Sequence, residues 1–211
     1  MTPKEQLGQG LSRLDLVLPA GGLDSLLAYI SLLGKWNRIY NLTAIREPGK
    51  VVTHHILDSL AVLPYLNVDT IADIGSGAGL PGIPMAVARP GMRVALVESN
   101  HKKCAFLRQA VTELQLENVE VVMERAEKWH PTSSFDVVIS RAFADLASFV
   151  EVARHLCRSD GVLAAMKGLY PDEELEQLPP EVRLENVVRI DVPGLRAARH
   201  LVILRSGTKS P

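Results

Sequence analysis

Apolar residues in the first third of the chain recur at the three- and four-residue steps of amphipathic helices. The clearest stripe, with Trp36 beside it, comprises Leu23, Leu26, Leu27, Ile30, Leu33 and Tyr40. A shorter helix is expected before this stripe, and another over residues 51–66 follows the break at Pro48 and Gly49. We therefore expect residues 1–66 to form a helical extension.

From residue 70 onward the pattern changes to short β-rich runs that alternate with helical segments. Such alternation is typical of a parallel sheet covered by helices. The last two strand-like runs have no helix between them, so we expect them to pair as an antiparallel hairpin. The predicted strands are 70–74, 93–98, 119–123, 135–141, 161–167, 182–192 and 199–205, with helices over 82–88, 102–114 and 146–157. The pattern predicts an α/β domain over residues 67–211, built on a mostly parallel sheet.

The composition, with 47% hydrophobic and 22% charged residues, is that of an ordinary globular protein. The amino terminus shows no apolar leader, and no later stretch is long and apolar enough to span a membrane. We therefore expect a cytoplasmic protein without a membrane partner. In a reducing compartment Cys104 and Cys157 should remain unbridged. The adjacent His54 and His55 diverge on a helix, and no metal site is expected.

The segment DIGSGAGLPGIP, residues 73–84, carries four glycines and two prolines directly after the first predicted strand. It contains a GxGxxG string that begins at Gly77, which alone is a weak signal for a dinucleotide site. In the dinucleotide fingerprint the first glycine follows the strand directly, so the count must begin at Gly75. From there Leu80 occupies the place of the third fingerprint glycine. The dinucleotide interpretation therefore fails in this frame.

Asp73 ends the first strand with a carboxylate, which favours a cationic or hydroxyl-rich ligand over a phosphate. S-adenosylmethionine is such a ligand, because it carries an amino group and a sulfonium but no phosphate. The glycines Gly75, Gly77 and Gly79 would let the main chain approach it closely. The alternative role for Asp73 is to tie the loop by hydrogen bonds.

Glu98 ends the second predicted strand, where an acid is placed to accept ribose hydroxyls. Nicotinamide and adenosylmethionine folds share this requirement, so Glu98 does not separate them. The alternative is an acid at the start of the next helix, beside Ser99 and Asn100, which are the better capping residues. We group Ser99 with Glu98 as a cofactor candidate.

Two further strand ends carry charged residues. The segment RAE, 125–127, follows the third strand, where a loop can contact an adenine, and SRA, 140–142, closes the fourth. Because ligands of open α/β sheets bind at the carboxyl ends of strands, Arg141 and Lys167 should lie at the working edge. Either one is alternatively a surface charge.

Six segments together resemble the 16S rRNA guanine-N7 methyltransferases, the family once called glucose-inhibited division protein B. They are KWNRIYNLTAIR, HHILDSL, DIGSGAGLPGIP, FDVVISRA, MKG and RHLVIL, and the resemblance covers almost the whole chain. It implies a class I methyltransferase sheet that uses S-adenosylmethionine, yields S-adenosylhomocysteine, and methylates guanine N7 at position 527 in the 530 loop. The cofactor contacts implied by the resemblance are Gly75, Leu80, Ala126, Glu127 and Arg141.

The chemistry of guanine N7 requires no catalytic acid or base, because this nitrogen carries a free lone pair at neutral pH. We therefore expect no catalytic residue in that sense, and a rate enhancement that comes from positioning. N7 is hidden in the deep, narrow groove of A-form RNA, so the target base must lie in a loop or leave the stack. The expected partner is 16S rRNA or the small ribosomal subunit, with no DNA, and the expected state is a monomer.

A basic stretch between Lys35 and Leu57 is the candidate RNA surface, although the net charge of the chain is −1. It holds four Lys or Arg and one acid, Glu47, which gives +3, besides two histidines. The RNA-contact candidates are Lys35, Arg38, Arg46, Lys50, His54 and His55, with Lys167 and Arg199 at the sheet edge. Trp36 and Tyr40 could stack on bases, but their helical spacing favours a place in the core.

Two other functions remain open from the residues alone. A nicotinamide-dependent oxidoreductase would share the broad fold. A non-catalytic RNA-binding or ribosome-assembly factor would keep the fold as a scaffold, but it would not require a carboxylate at Asp73.

Overall fold

The computed structural model of the protein describes residues 1–66 and 68–206. Seven strands form one sheet: β1 Thr70–Ile74, β2 Arg93–Val97, β3 Val119–Val122, β4 Phe135–Ser140, β5 Cys157–Lys167, β6 Val182–Arg189 and β7 His200–Ser206. Their order is β3-β2-β1-β4-β5-β7-β6. The pairs from β3 to β5 are parallel, whereas β7 is antiparallel to both β5 and β6. The predicted fold class and the predicted antiparallel hairpin are confirmed.

The main helices lie close to the segments that the apolar stripes predict. They are α1 Pro3–Arg13, α2 Gly22–Tyr40, α3 Pro48–Val51, α4 Asp58–Leu60, α5 Gly82–Ala88, α6 His101–Glu113, α7 Leu146–Ala153 and α8 Asp172–Glu176. Thr2 begins α1 with a capping box, in which its hydroxyl accepts from Glu5 N and the Glu5 carboxylate accepts from Thr2 N. A π-helical turn, Val52–Leu57, joins α3 to α4.

The boundaries differ from the sequence prediction at several places, and β5 begins at Cys157 and not at residue 161, while β6 ends at Arg189 and not at residue 192. The helix predicted over 51–66 begins earlier, at Pro48, because proline is well suited to the first helical position. It ends at Leu60, before a 3₁₀ turn at Leu63–Tyr65. The helix predicted over 146–157 stops at Ala153, since Cys157 already pairs with Phe135 in the sheet.

One apolar core joins the helical extension to a face of the sheet. Buried side chains from α2, the π-helical turn, β1 and α6 belong to the same cluster, among them Leu26, Tyr29, Ile56, Ile71 and Phe106. The opposite face of the sheet is covered by α7, with Phe149 fully buried. The amino-terminal helices therefore pack as a layer on the sheet, and the boundary at residue 66 stays a prediction.

Cys104 and Cys157 are both free thiols, and Cys104 Sγ donates to the carbonyl of Glu98 over 3.0 Å. Within residues 1–66 and 68–206, we find no group of three potential metal ligands. Over the same ranges no helix combines the length and the apolar character needed to cross a bilayer.

Candidate functional site

The glycine loop after β1 takes backbone angles that side chains disfavour. Gly75, Gly77 and Gly79 have φ values of 68°, 59° and 84°, all in the left-handed region. A Cβ at Gly79 would lie 2.4 Å from Ile83 Cδ1, so this glycine also allows α5 to pack against the loop. At Gly77 the nearest atom to an added Cβ is the Gly75 carbonyl oxygen, at 3.8 Å. The loop thus presents bare main chain at the carboxyl end of β1.

A cleft of about 220 Å³ opens beside this loop, at the carboxyl ends of β1 and β4. It is lined by Leu42, Thr43, His55, Gly75, Ser76, Ala78, Leu80, Arg141 and Ala142. Of the predicted cofactor residues, the cleft brings together Gly75, Leu80 and Arg141. Thr43 and His55 come from the helical layer, so this layer forms one wall of the site.

Asp73 lies beneath the loop and not in the cleft. Its side chain is fully buried, and Oδ2 accepts a hydrogen bond from Gly82 N over 3.0 Å, while Oδ1 has no partner. Burial raises the pKa of this carboxyl to about 7, and the bond from Gly82 partly opposes the shift. Asp73 thus ties the loop to α5 through one carboxylate oxygen, and its contact with the cofactor stays a prediction.

Glu98 follows β2 and reaches the same loop. Its Oε2 accepts from Gly77 N over 3.0 Å and its Oε1 from Asn100 N over 2.8 Å, and the residue is 7% exposed. Glu98 therefore fixes the exposed bend of the glycine loop, and its contact with a ribose stays a prediction. Ser99 is exposed, and the cap of α6 is Asn100, whose Oδ1 accepts from Lys102 N and Lys103 N.

Arg141 is held at the rim of the cleft by groups from the helical layer. Its Nη1 lies 3.5 Å from Asp58 Oδ2 and 3.5 Å from Ser59 Oγ, and Nη2 donates to the carbonyl of His54 over 3.4 Å. The other oxygen of Asp58 accepts from Arg199 Nε over 2.9 Å. Asp58 is 2% exposed, so one buried carboxylate bridges two arginines.

Sequence reasoning missed Asp58 as a residue of this site. A signal was present, since Asp58 is an acid between Leu57 and Leu60 in an otherwise apolar helical segment. Acidic side chains are almost never fully buried unless they are paired, so such a position indicates a basic partner. The sequence gives no means of identifying Arg141 and Arg199 as the partners.

His55 is a buried neutral side chain and not a cationic RNA contact. It is 6% exposed, and its Nε2 lies 2.8 Å from the hydroxyl of Thr43. Burial and the nearby Arg141 charge lower its pKa to about 4, so the ring carries no charge at neutral pH. The contact of His55 with RNA stays a prediction, and it would be made by a neutral ring. His54 is half-buried, and its Nδ1 lies 2.7 Å from Thr53 Oγ1.

Ala126 and Glu127 lie in a 3₁₀ turn after β3. Ala126 is buried, whereas Glu127 is largely exposed and pairs with Arg125. Hydrogen bonds from its own main-chain N–H and from Arg125 lower the pKa of Glu127. Neither residue lines the cleft beside Gly75, so their contact with an adenine stays a prediction.

Four of the basic residues predicted to contact RNA are exposed to solvent. Lys35 and Arg38 are exposed on α2, and they are followed by Arg46 and Lys50. Arg46 Nη2 donates to Asn41 Oδ1 over 2.9 Å, and Lys50 pairs with Glu47 at 2.8 Å. These four side chains remain the candidate RNA surface.

Lys167 and Arg199 are not free charges. Lys167 Nζ pairs with Glu174 at 2.7 Å and donates to the carbonyls of Phe143 and Ala144. Its side chain is only 10% exposed. Arg199 is paired with Asp58, and the contact of either residue with RNA stays a prediction.

Trp36 packs against the core, whereas Tyr40 beside it is exposed. The Trp36 ring lies 5.7 Å from Phe106 and 5.2 Å from Tyr40, and its indole N–H donates to Gln109 Oε1 over 3.2 Å. The place in the core that the helical spacing favoured is confirmed for Trp36. Tyr40 remains 42% exposed at the end of α2.

Comparisons with known proteins agree on one family. Residues 23–202 match the family described as GidB, rRNA small subunit methyltransferase G. The protein named ribosomal RNA small subunit methyltransferase G from Nitrosospira multiformis is 54% identical over 212 residues, covering 97% of this chain and 98% of its own. Its namesake from Laribacter hongkongensis is 52% identical over 204 residues, covering 97% and 99%.

Solved structures with a similar fold have low sequence identity. A SAM-dependent methyltransferase from Aquifex aeolicus has a TM-score of 0.56 at 18% identity, covering 75% of this chain and 93% of its own. TrmN from Thermus thermophilus has a TM-score of 0.57 at 17% identity, covering 71% and 48%. These likenesses support the fold, while the sequence matches identify the group. By these matches the chain belongs to the family of rRNA small subunit methyltransferase G.

Proposed function

We propose that this protein transfers a methyl group from S-adenosylmethionine to N7 of a guanine in the 530 loop of 16S rRNA, at position 527. The observation that carries the proposal is the family match over residues 23–202. The glycine-walled cleft supports it, since it lies at the sheet edge where ligands of α/β proteins bind. A nicotinamide-dependent oxidoreductase would bind its cofactor at the same edge of the sheet, but the family match does not support it.

The residues around the cleft fit S-adenosylmethionine. Gly77 leaves open space where a side chain would otherwise project, so a ligand can approach the main chain. Gly75 and Leu80 would contact the cofactor from the loop, Glu98 would meet its ribose, and Arg141 would meet its carboxylate. When bound, the cofactor supplies an electrophilic methyl group on its sulfonium.

Of the described residues that line the cleft, none offers a side chain suited to act as a general base near neutral pH. His55 has a pKa of about 4, and its Nε2 is engaged with the Thr43 hydroxyl. This agrees with a nucleophile that needs no deprotonation, so the protein contributes mainly by holding the reactants in line. Asp58 also pairs with Arg141, which offsets a positive charge near a guanine that becomes cationic.

The exposed basic residues of the helical layer would bind the RNA backbone. Phosphate contacts by Lys and Arg give sequence-independent affinity that falls with salt. They position the strand, and the cleft then receives the unstacked guanine. We expect the protein to act as a monomer.

The decisive experiment is transfer of labelled methyl groups to small-subunit rRNA from cells that lack this modification. The RNA should be supplied both bare and as assembled subunits, and the product should be digested and mapped by mass. We expect one 7-methylguanosine in the 530 loop. Label at another atom or nucleotide would overturn the position, and RNA binding without any transfer would favour a non-catalytic assembly factor.

A further inference from the structure

A second pocket, of about 370 Å³, lies between α2 and the start of α3, apart from the cofactor cleft. It is lined by Ile30, Leu33, Gly34, Asn37, Arg38, Ile45, Arg46, Pro48 and Val51. We refer to these nine residues as the helical pocket. None of them lines the cleft beside Gly75.

The helical pocket combines an apolar floor with a cationic rim. Ile30, Leu33 and Val51 are 7%, 1% and 5% exposed and form the floor. Arg38 and Arg46 are exposed at the rim, and neither forms an ion pair with any residue that the structure describes. A flat, largely apolar ring that carries a phosphate suits such a surface, since guanidinium groups both stack on bases and bind phosphate.

Gly34 keeps this pocket open. It lies inside the 19-residue helix α2, where glycine costs about 1 kcal/mol relative to alanine. A Cβ added at Gly34 would meet no atom within 4 Å, so the fold imposes no steric need for glycine there. A glycine without a packing reason, facing a pocket, is typical of a site where a ligand comes close.

The helical pocket is joined to the cofactor cleft through one loop. Asn37 lines the pocket, its Oδ1 accepts from Thr43 N over 2.9 Å, and its Nδ2 donates to the carbonyl of Ile45 over 3.4 Å. Thr43 lines the cleft, and Ile45 lines the pocket only two residues later. Two residues of chain span at most about 7 Å, so the walls of the two sites come close to each other at this loop.

We propose that the helical pocket binds an unstacked nucleotide of the rRNA strand beside the target guanine. Its base lies on the floor of Ile30, Leu33 and Val51, and its phosphates meet Arg38 and Arg46. The pocket thereby holds the strand while the guanine enters the cleft. This inference rests on the proposed function, because it requires RNA as the substrate.

The sharpest test fills the pocket without disturbing the fold. Gly34→Leu adds a good helix former into open space, so the variant should be at least as stable as the parent. We expect KM for rRNA to rise about tenfold, with a smaller rise for Gly34→Ala, while the dissociation constant for S-adenosylhomocysteine changes less than about twofold. The matched control is Gly8→Leu, since Gly8 also lies in a helix with open space at its Cβ and lines no part of the pocket.

A second variant tests the rim. Arg38→Gln should weaken rRNA binding and reduce the dependence of log K on log salt by about one, as expected for one lost phosphate contact. Arg183→Gln, on the exposed edge strand β6, is the matched control and should leave both quantities unchanged. Combined with Gly34→Leu, the Arg38 effect should be less than additive, because both changes act on one bound nucleotide.

The outcomes separate this inference from the function on which it rests. If the parent protein transfers no methyl group to rRNA, the proposed function fails. If the parent is active and Gly34→Leu leaves KM unchanged, the helical pocket is not an RNA site and the function stands. A photoreactive side chain at Lys35, beside the pocket, should cross-link to rRNA on the small subunit, and cross-linking to a ribosomal protein alone would overturn the inference.

Discussion

Two pairs of arginines differ in what surrounds their charges: a buried acid pairs with one pair, and water solvates the other. Arg141 and Arg199 both pair with Asp58, a carboxylate that is 2% exposed. Arg38 and Arg46 project into solvent from the helical pocket. The first two guanidinium groups are thus fixed by a buried acid, whereas the other two are hydrated and, under the proposed function, available to bind phosphate.

The difference has an energetic consequence. Removing one member of a buried ion pair leaves an uncompensated charge and typically costs about 3–5 kcal/mol. Exposed pairs contribute about 0–1 kcal/mol, because water already solvates both partners. Changes around Asp58 should therefore alter stability, and changes at Arg38 and Arg46 should alter RNA affinity alone.

The largest expected effect is that of Asp58→Ala. The free energy of unfolding should fall by about 3–5 kcal/mol, since the change leaves Arg141 and Arg199 without their shared carboxylate. Affinity for S-adenosylhomocysteine should also fall, because Arg141 loses its fixed position. Urea denaturation and calorimetry give the two quantities. A loss of unfolding free energy below about 1 kcal/mol would show that the two regions do not differ in this way.

The next effect is a dependence of stability on pH at Asp73. Its folded pKa, about 7, lies above the ordinary value of 3.8, so the folded state binds more protons between these values. Stability should therefore fall as pH rises from about 4 to about 7, and then level off. A tenfold change in proton affinity corresponds to about 1.4 kcal/mol, and we expect Asp73→Asn to gain about 2–3 kcal/mol over the parent across this range after relaxation.

Thermal or urea unfolding of both proteins at pH 5 and pH 8 measures this gain directly. Comparing the two pH values removes the constant effects of the substitution. Equal differences at both values would mean that Asp73 titrates normally beneath the loop.

A smaller free-energy change, confined to RNA binding, is expected for the double change Lys35→Glu and Arg38→Glu. Affinity for rRNA should fall about tenfold at low salt and less at high salt, while the affinity for S-adenosylhomocysteine stays the same. Charge reversal at Arg183, far along the sheet on β6, serves as the control. Unchanged methylation at moderate salt would remove this surface from the RNA interface.

The smallest effect is expected at the pair of Lys50 and Glu47. Their side chains are 57% and 69% exposed and lie 2.8 Å apart. Glu47→Gln should change the free energy of unfolding by less than about 0.5 kcal/mol, because the pair is screened by water and ions. A loss of unfolding free energy as large as that of Asp58→Ala would contradict the expected difference between buried and exposed ion pairs.

Local patterns in the sequence determined much of the fold. Strand β1 and helix α5 have the predicted bounds, because a buried strand and a proline-bearing helix start are recognisable within a few residues. The glycine loop was also predictable, since its left-handed backbone requires glycine at Gly75, Gly77 and Gly79. The resemblance of six segments to a known family, confirmed by the match over residues 23–202, determined the class of enzyme.

The tertiary structure alone decided which charges are free to act. Asp58 and Arg199 are 141 residues apart in sequence, and Arg141 and Ser59 are 82 residues apart. The side chain of Asp73 lies beneath its loop, where its carboxylate accepts a hydrogen bond from the buried Gly82 N–H. The sequence specifies the type of each side chain. Its solvation and its hydrogen-bond and charge partners depend on which distant segments pack around it, and this environment determines its charge and its role.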